Sequence, residues 1–100
     1  MLSEVKKKSS SRRLVKRKRS DTDIMASILN EAYEGARRTR IMYRCNLSHN
    51  QLKVYSKLLF GMKLLELTSE EEGTEPDVLK TTAKGRKFLD AYRKLKVLMT

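Results

Sequence analysis

The fold is decided by residues 38–60, which read RTRIMYRCNLSHNQLKVYSKLLF. Apolar residues recur at helical spacing in both halves of this stretch, and Asn46-Leu47-Ser48 interrupts the pattern between them. Ser48 and Gln51 have the capping-box spacing, which supplies hydrogen-bond partners for the free N–H groups of a new helix. The stretch therefore predicts two short helices joined by a tight turn.

The second of these helices is predicted to have one apolar side and one polar side. A helix with a packed back and a polar, basic front suits the major groove of DNA. The apolar side is Leu52, Tyr55, Leu59 and Met62, and the polar side is His49, Asn50, Lys53 and Lys57.

Elements on both sides of this pair complete a small fold. The predicted order is helix, helix, helix, strand, strand, helix, since periodic apolar residues mark the helices and short apolar runs mark the strands. The fold class is therefore mainly α with a small β-hairpin, a winged helix-turn-helix. The predicted spans are residues 22–34, 40–45 and 49–62 for three helices, 64–68 and 78–81 for the strands, and 82–100 for the last helix.

Single residues mark the ends of these helices. Ser20 or Asp21 caps the first helix, and Gly35 stops it. Thr39 is predicted to cap the second helix, and Asn46 ends it because asparagine tolerates the left-handed conformation. The chain between Gly35 and Thr39 is expected to be a plain connection.

The net charge of +11 is unevenly placed. Residues 1–20 carry nine basic residues and one acid, whereas residues 21–100 carry 14 basic and 11 acidic residues. Dense like charge and low hydrophobicity predict a disordered arm over residues 1–20 that seeks polyanions, nucleic acid before anionic membrane. The alternatives are a tail that only aids solubility and a nuclear-import signal at residues 16–19.

Several classes of protein are not expected. The chain contains no run of 18 apolar residues, so a membrane span is not expected. It also has no apolar N-terminal segment, so secretion is not expected. Cys45 has no second cysteine to pair with, which fits a core residue in a reducing cytoplasm. With one Cys and one His, and no recognisable catalytic or phosphate-loop motif, we predict no metal site, cofactor, small-molecule substrate or enzymatic activity.

A series of short motifs runs through residues 21–92. They are Gly35-Ala36-Arg37-Arg38-Thr39, Ile41-Met42-Tyr43, Asn46-Leu47-Ser48, Gln51-Leu52, Tyr55, Leu64-Leu65 and the pattern Thr82-x-Lys84-Gly85. In this combination the chain resembles the archaeal dimeric winged-helix chromatin proteins of the 10a type. It departs from them at Lys63, where relatives often carry a helix-ending glycine, and in its shorter last helix and longer basic arm.

The resemblance implies a function as well as a fold. It implies double-stranded DNA binding with low sequence specificity, in chromatin or transcription regulation, and hence a nucleoid-associated protein in the cytoplasm. It also implies that the last helix pairs with that of a second copy in an antiparallel coiled coil.

Candidate DNA contacts lie in three regions. Basic residues near the helix pair and in the arm can neutralise phosphates, Asn50 can read adenine and Lys53 can read guanine. The alternatives are that the basic face is only solvated and that His49 is an exposed residue with no role in binding. The full set is Arg37, Arg38, Thr39, Arg40 and Arg44, then His49, Asn50, Lys53 and Lys57, then Lys80 in the hairpin, and Arg12, Arg13, Lys16, Arg17, Lys18 and Arg19 in the arm.

Two C-terminal features favour protein contacts. The loop at residues 69–77 contains five acids and no base, so we predict that this wing points away from DNA or meets a protein partner. In the last helix, apolar residues spaced four, three and four apart form a coiled-coil seam for a homodimer, unless the stripe packs on its own domain. The seam consists of Phe88, Tyr92, Leu95 and Met99.

The chain thus divides into an arm (residues 1–20), a winged helix-turn-helix domain (21–81) and a dimerisation helix (82–100). Two other functions stay open: an RNA- or ribosome-associated basic protein, and a protein-interaction winged helix in transcription machinery. Only six aromatic residues are present, and Tyr43 and Phe60 are expected to pack, which argues against stacking on single strands.

Overall fold

The computed structural model describes residues 19–100, which form four helices and a small antiparallel sheet. The predicted winged helix-turn-helix is confirmed. Most of the predicted arm, residues 1–18, lies outside the described residues. The elements are α1 (Asp21–Glu31), β1 (Ala36–Arg37), α2 (Arg38–Cys45), α3 (His49–Gly61), β2 (Leu65–Thr68), β3 (Val78–Thr81) and α4 (Ala83–Met99).

The sheet contains a strand that the sequence interpretation missed. Ala36 and Arg37 were expected in a plain connection, but they form β1, which pairs antiparallel with β3 in the strand order β1-β3-β2. The first helix ends at Glu31, three residues earlier than predicted, and Gly35 at φ 105° turns the chain into the strand rather than stopping the helix. A strand of two residues is too short to show an alternating pattern in the sequence. It forms because β3 lies beside it and pairs with it.

The new strand also changes where α2 begins. The prediction that Thr39 caps this helix is wrong, because α2 starts at Arg38 and its N-cap is Arg37, which makes no side-chain capping bond. Pairing with β3 holds Arg37 in an extended conformation, so the helix begins at the first residue beyond the strand.

The remaining helix boundaries follow from local hydrogen bonds, as predicted. The Ser48 hydroxyl accepts from the Gln51 N–H, and the Gln51 side chain accepts from the Ser48 N–H, so the capping box is complete. Asn46 ends α2 in the left-handed region at φ 56°. Ser20 caps α1 by accepting from the Asp23 N–H. These contacts fix the two helices of the helix-turn-helix and the start of α1.

The core lies between the helices and the sheet, and Cys45 is buried in it as predicted. Tyr43 is 84% exposed, so its expected packing role is wrong, whereas Phe60 is half-buried against the core. The reason is that α2 spans only eight residues, and its buried side is already taken by Ile41 and Cys45. The largest fully buried side chains are Ile28, Leu29, Ile41, Leu52, Leu59, Leu79 and Leu89.

The apolar packing of the last helix on the core ends at Tyr92, and beyond it Arg93 and Lys96 still reach Asn30 and Asp23 of α1. Leu89 is buried, and Phe88 and Tyr92 are half-buried against the core, whereas every residue from 93 onward is exposed. Within residues 19–100, none of the helices combines the length and the apolar composition that a membrane-spanning helix requires.

Candidate nucleic-acid interface

The outer side of α3 carries the polar residues that the sequence predicted for it. The capping box at Ser48 fixes the start of the helix, so the side chains of its first turns project from a defined end. All four predicted polar residues are exposed, and the opposite side is buried in the core. The exposed residues are His49, Asn50, Lys53 and Lys57, and the buried ones are Leu52, Ser56 and Leu59.

The helix-turn-helix lies in a long stretch of chain without negative charge. Residues 35–65 contain seven basic residues and no acid. Of these, four form no ion pair within residues 19–100, namely Arg38, Lys53, Lys57 and Lys63. Their positive charge is therefore not neutralised by the folded domain and can meet an external anion.

A shallow depression gathers part of this charge at the junction of α2 and α3. Its volume is about 270 Å³, and it is lined by Arg38, His49, Leu52 and Lys53. Three of these side chains donate hydrogen bonds, and Arg38 offers the planar guanidinium that binds phosphate oxygens in pairs. The depression thus brings together three hydrogen-bond donors of the kind that bind a phosphate group.

Arg37, the first of the predicted DNA-contacting arginines, forms ion pairs with the wing. Its Nε and Nη2 donate to one Glu70 carboxylate oxygen at 2.9 and 2.7 Å, and its Nη1 lies 3.1 Å from an Asp77 oxygen. The Glu70 hydrogen bonds, followed by the Asp77 charge, raise the pKa of Arg37 above its ordinary value. Part of the acidic wing therefore folds back on the basic surface.

Two further candidates share one acid on α1. Arg40 Nε lies 3.1 Å from one Glu31 carboxylate oxygen, and Arg44 Nε lies 3.7 Å from the other. Glu31 is only 15% exposed, whereas both arginines are well exposed. These pairs tie α2 to α1 and orient both guanidinium groups along the outer side of α2.

Arg19 belongs to the predicted arm and is described by the structure. Its guanidinium donates to the carbonyl oxygens of Cys45 at 2.9 Å and Asn46 at 3.3 Å. Carbonyls at a helix C-terminus lack intrahelical partners and favour a cation. Arg19 therefore fixes the root of the arm beside the turn between α2 and α3. The other arm candidates lie outside the described residues, namely Arg12, Arg13, Lys16, Arg17 and Lys18.

The other predicted contacts are dispersed, and one exposed residue was overlooked. Thr39 is exposed in the first turn of α2, and Lys80 is half-buried on β3, directly across from Glu66. Val54 is 64% exposed on α3, beside the predicted polar residues. Because Val54 follows Asn50 by four residues, the sequence places both on one side of the helix. An apolar residue is not expected on a polar side, and for this reason Val54 was missed.

The predicted dimer seam divides into two parts. The Tyr92 hydroxyl donates to the Asp23 carboxylate of α1 at 2.5 Å, and Phe88 packs against the same core, so these two residues contact their own domain. Leu95 is 51% exposed and Met99 is 68% exposed. The second half of the seam is thus available to a partner.

Comparisons with known proteins agree with this architecture. A family model described as winged helix-turn-helix matches residues 18–100. Among solved structures, the chain is similar to the crystal structure of Sso10a-2, a DNA-binding protein from Sulfolobus solfataricus, with a TM-score of 0.69 and 20% sequence identity over 81% of this chain and 82% of that one. The predicted resemblance to the 10a type is confirmed at the level of the fold. None of the curated proteins matches the chain.

Proposed function

Because the chain belongs to the winged helix-turn-helix family, we propose that it binds double-stranded DNA by placing α3 in the major groove. The observation that carries the proposal is the acid-free basic stretch of residues 35–65, which presents Asn50, Lys53 and Lys57 on the outer side of a rigidly capped helix. The described function of Sso10a-2, which shares the fold, supports the same class of ligand.

Binding of this kind has low sequence specificity. The α3 helix contains no arginine, the residue that most often reads guanine through two hydrogen bonds. Phosphate contacts at the Arg38 depression and at the α3 lysines then supply most of the affinity, and that affinity falls as salt rises. A protein with these properties serves as an archaeal-type chromatin protein or a transcriptional regulator, associated with the nucleoid in the cytoplasm.

The salt dependence of duplex binding tests the role of α3. Replacing Lys53 and Lys57 with glutamine should weaken binding and reduce the slope of log affinity against log salt by about 1.8, at about 0.9 for each phosphate contact. Lys84→Gln with Lys87→Gln is the matched control, since it removes the same charge from exposed positions on α4. If both double variants lose affinity and salt slope equally, the effect is due to net charge, and α3 is rejected as the contact.

The arm is proposed to add phosphate contacts of its own. If roughly five of its basic residues engage, deletion of residues 1–18 should lower the salt slope by about 4.5. Arg19 is retained in this truncation because it caps α2. An unchanged slope would assign the arm to solubility alone.

A protein-binding function is the second candidate, and the wing favours it. The loop between β2 and β3 carries five acids, of which Glu70 and Asp77 are held by Arg37. A partner that co-purifies after nuclease treatment, and is lost when Glu71, Glu72 and Glu75 become glutamine, would establish this function. Competition between duplex DNA and structured RNA separates the proposed function from RNA binding.

A further inference from the structure

Val54 occupies the centre of the α3 surface that faces away from the core. With 3.6 residues per turn, the side of α3 opposite its buried residues is centred on Asn50, Val54 and Lys57. The Val54 side chain is 64% exposed, and Leu58, one turn later, is 47% exposed. The middle of the proposed recognition surface is therefore an isopropyl group, with a polar amide before it and a lysine beyond it.

The fold gives no reason for valine at this position. A β-branched residue loses side-chain freedom in a helix and is a weaker helix former than alanine or lysine. Val54 does not belong to the core cluster. Its contribution is thus to the surface, in the part of the molecule that the proposed function places against the bases.

The major groove offers one apolar group on the edges of the bases. This group is the C5-methyl of thymine, and small apolar side chains contact it. The adenine of the same base pair presents the N7 acceptor and N6 donor that an asparagine amide can bind together. Val54 and Asn50, one turn apart, match these two features in chemistry.

We propose that Val54 contacts the thymine methyl group in the major groove and that Asn50 binds adenine, an inference that rests on the proposed function. Lys53 and Lys57 lie together on one side of Val54 and reach the backbone there. The low specificity of the chain is thereby biased toward A·T base pairs, which are read from the major groove and not from the width of the minor groove.

Two duplexes of identical sequence test this inference, one with thymine and one with deoxyuridine at every thymine position. They differ only in the methyl groups of the major groove. The natural chain should bind the thymine duplex tighter, by roughly three- to fourfold for each contacted methyl group. Val54→Ala should bind both duplexes with the affinity that the natural chain has for the uracil duplex.

Val97→Ala is the matched control. Val97 is 72% exposed on α4, so the same truncation is made at a surface position away from α3, and this variant should keep the natural preference. The helix content and melting temperature of both variants verify that they are folded.

The outcomes separate this inference from the proposed function. If the natural chain binds both duplexes equally, with its salt dependence intact, the thymine contact is overturned and the proposed function stands. A preference that survives in Val54→Ala overturns the role of Val54. Failure to bind either duplex overturns the proposed function and the inference together.

Discussion

Gly85 gives the Thr-x-Lys-Gly motif a structural meaning. An added Cβ there would lie 2.3 Å from the Leu64 carbonyl oxygen and 2.6 Å from Thr81 Cγ2. The Thr82 hydroxyl accepts from the Gly85 N–H and donates to the Lys63 carbonyl oxygen. The motif therefore seats the start of α4 against the backbone before β2, and its threonine and glycine serve packing.

Substitution of Gly85 by alanine is expected to destabilise the domain. The extra methyl group meets backbone that has no room to move, and overpacking of this kind costs about 2–3 kcal/mol in the free energy of unfolding. Denaturant unfolding measures the change. Gly61→Ala is the control: it lies in the last turn of α3 with nothing within 4 Å of an added Cβ, and should stabilise by up to about 1 kcal/mol. A neutral Gly85→Ala would contradict the close approach.

Among the elements, the wing competes with DNA for the positive charge of Arg37. Arg37 ends β1 and is held by Glu70 and Asp77 of the wing, so DNA must displace these carboxylates to use it. Exposed ion pairs of this kind are weak, so DNA can displace the carboxylates at a small cost. The wing thereby reduces affinity without any contact to DNA.

Removing the two wing carboxylates should therefore strengthen DNA binding. Glu70→Gln with Asp77→Asn is expected to raise duplex affinity roughly two- to thirtyfold above a control of equal charge. That control is Glu72→Gln with Glu75→Gln, because neither residue forms an ion pair within the described part of the chain. Equal gains in both variants, measured by fluorescence titration, would show a general charge effect and no competition.

The contact between α1 and α4 makes stability depend on acid pH. The Tyr92 hydroxyl, then the Ser20 hydroxyl and the nearby Lys96 ammonium, hold the pKa of Asp23 below its ordinary value of 3.8. The folded state then binds fewer protons than the unfolded state near this pH. Asp23 thus contributes stability above its ordinary pKa, and this contribution is lost as the pH falls below it.

The expected result is a difference in acid sensitivity between two asparagine variants. From about pH 5 to pH 2 the free energy of unfolding should fall more steeply in the natural chain than in Asp23→Asn. Asp90→Asn, a change at an exposed carboxylate on α4, should keep the natural slope. Urea unfolding at a series of pH values measures the three slopes, and equal slopes in all three would contradict the role of Asp23.

At the scale of the whole molecule, the projecting end of α4 is the proposed dimer contact. Leu95 and Met99 continue the seam beyond the part that packs on α1, and they are exposed in the single chain. Two turns of helix are marginal as an independent coiled coil, so we propose that the partner's domain also contributes to the contact.

A charge in this seam should separate the two copies. The natural chain is expected to be a dimer by sedimentation or light scattering, and Leu95→Asp is expected to be a monomer. Val97→Asp introduces the same charge at an exposed position on the opposite side of α4 and should stay dimeric. A monomeric natural chain, or a dimeric Leu95→Asp variant, would reject this seam.

Local signals made most of the helices and the polar side of α3 predictable. The Ser48 capping box, the left-handed Asn46 and the Ser20 cap each depend on neighbours within one turn, and each is formed. The strand Val78–Thr81 was predicted to the residue. Lys63, noted where relatives carry glycine, adopts φ 65°, the conformation that glycine favours.

What escaped the sequence interpretation depends on residues far apart in the chain. The strand β1 needs β3, the wing reaches Arg37 across 33 residues, and Arg19 reaches the end of α2 across 26. The helices, the turn between them and the excess of positive charge can be read from the sequence, because each arises from composition or from contacts within a few residues. The neutralised arginines and the exposure of Val54 depend on the tertiary structure, because packing brings distant segments together, sets each charge beside its partner and leaves one side of α3 outside the core.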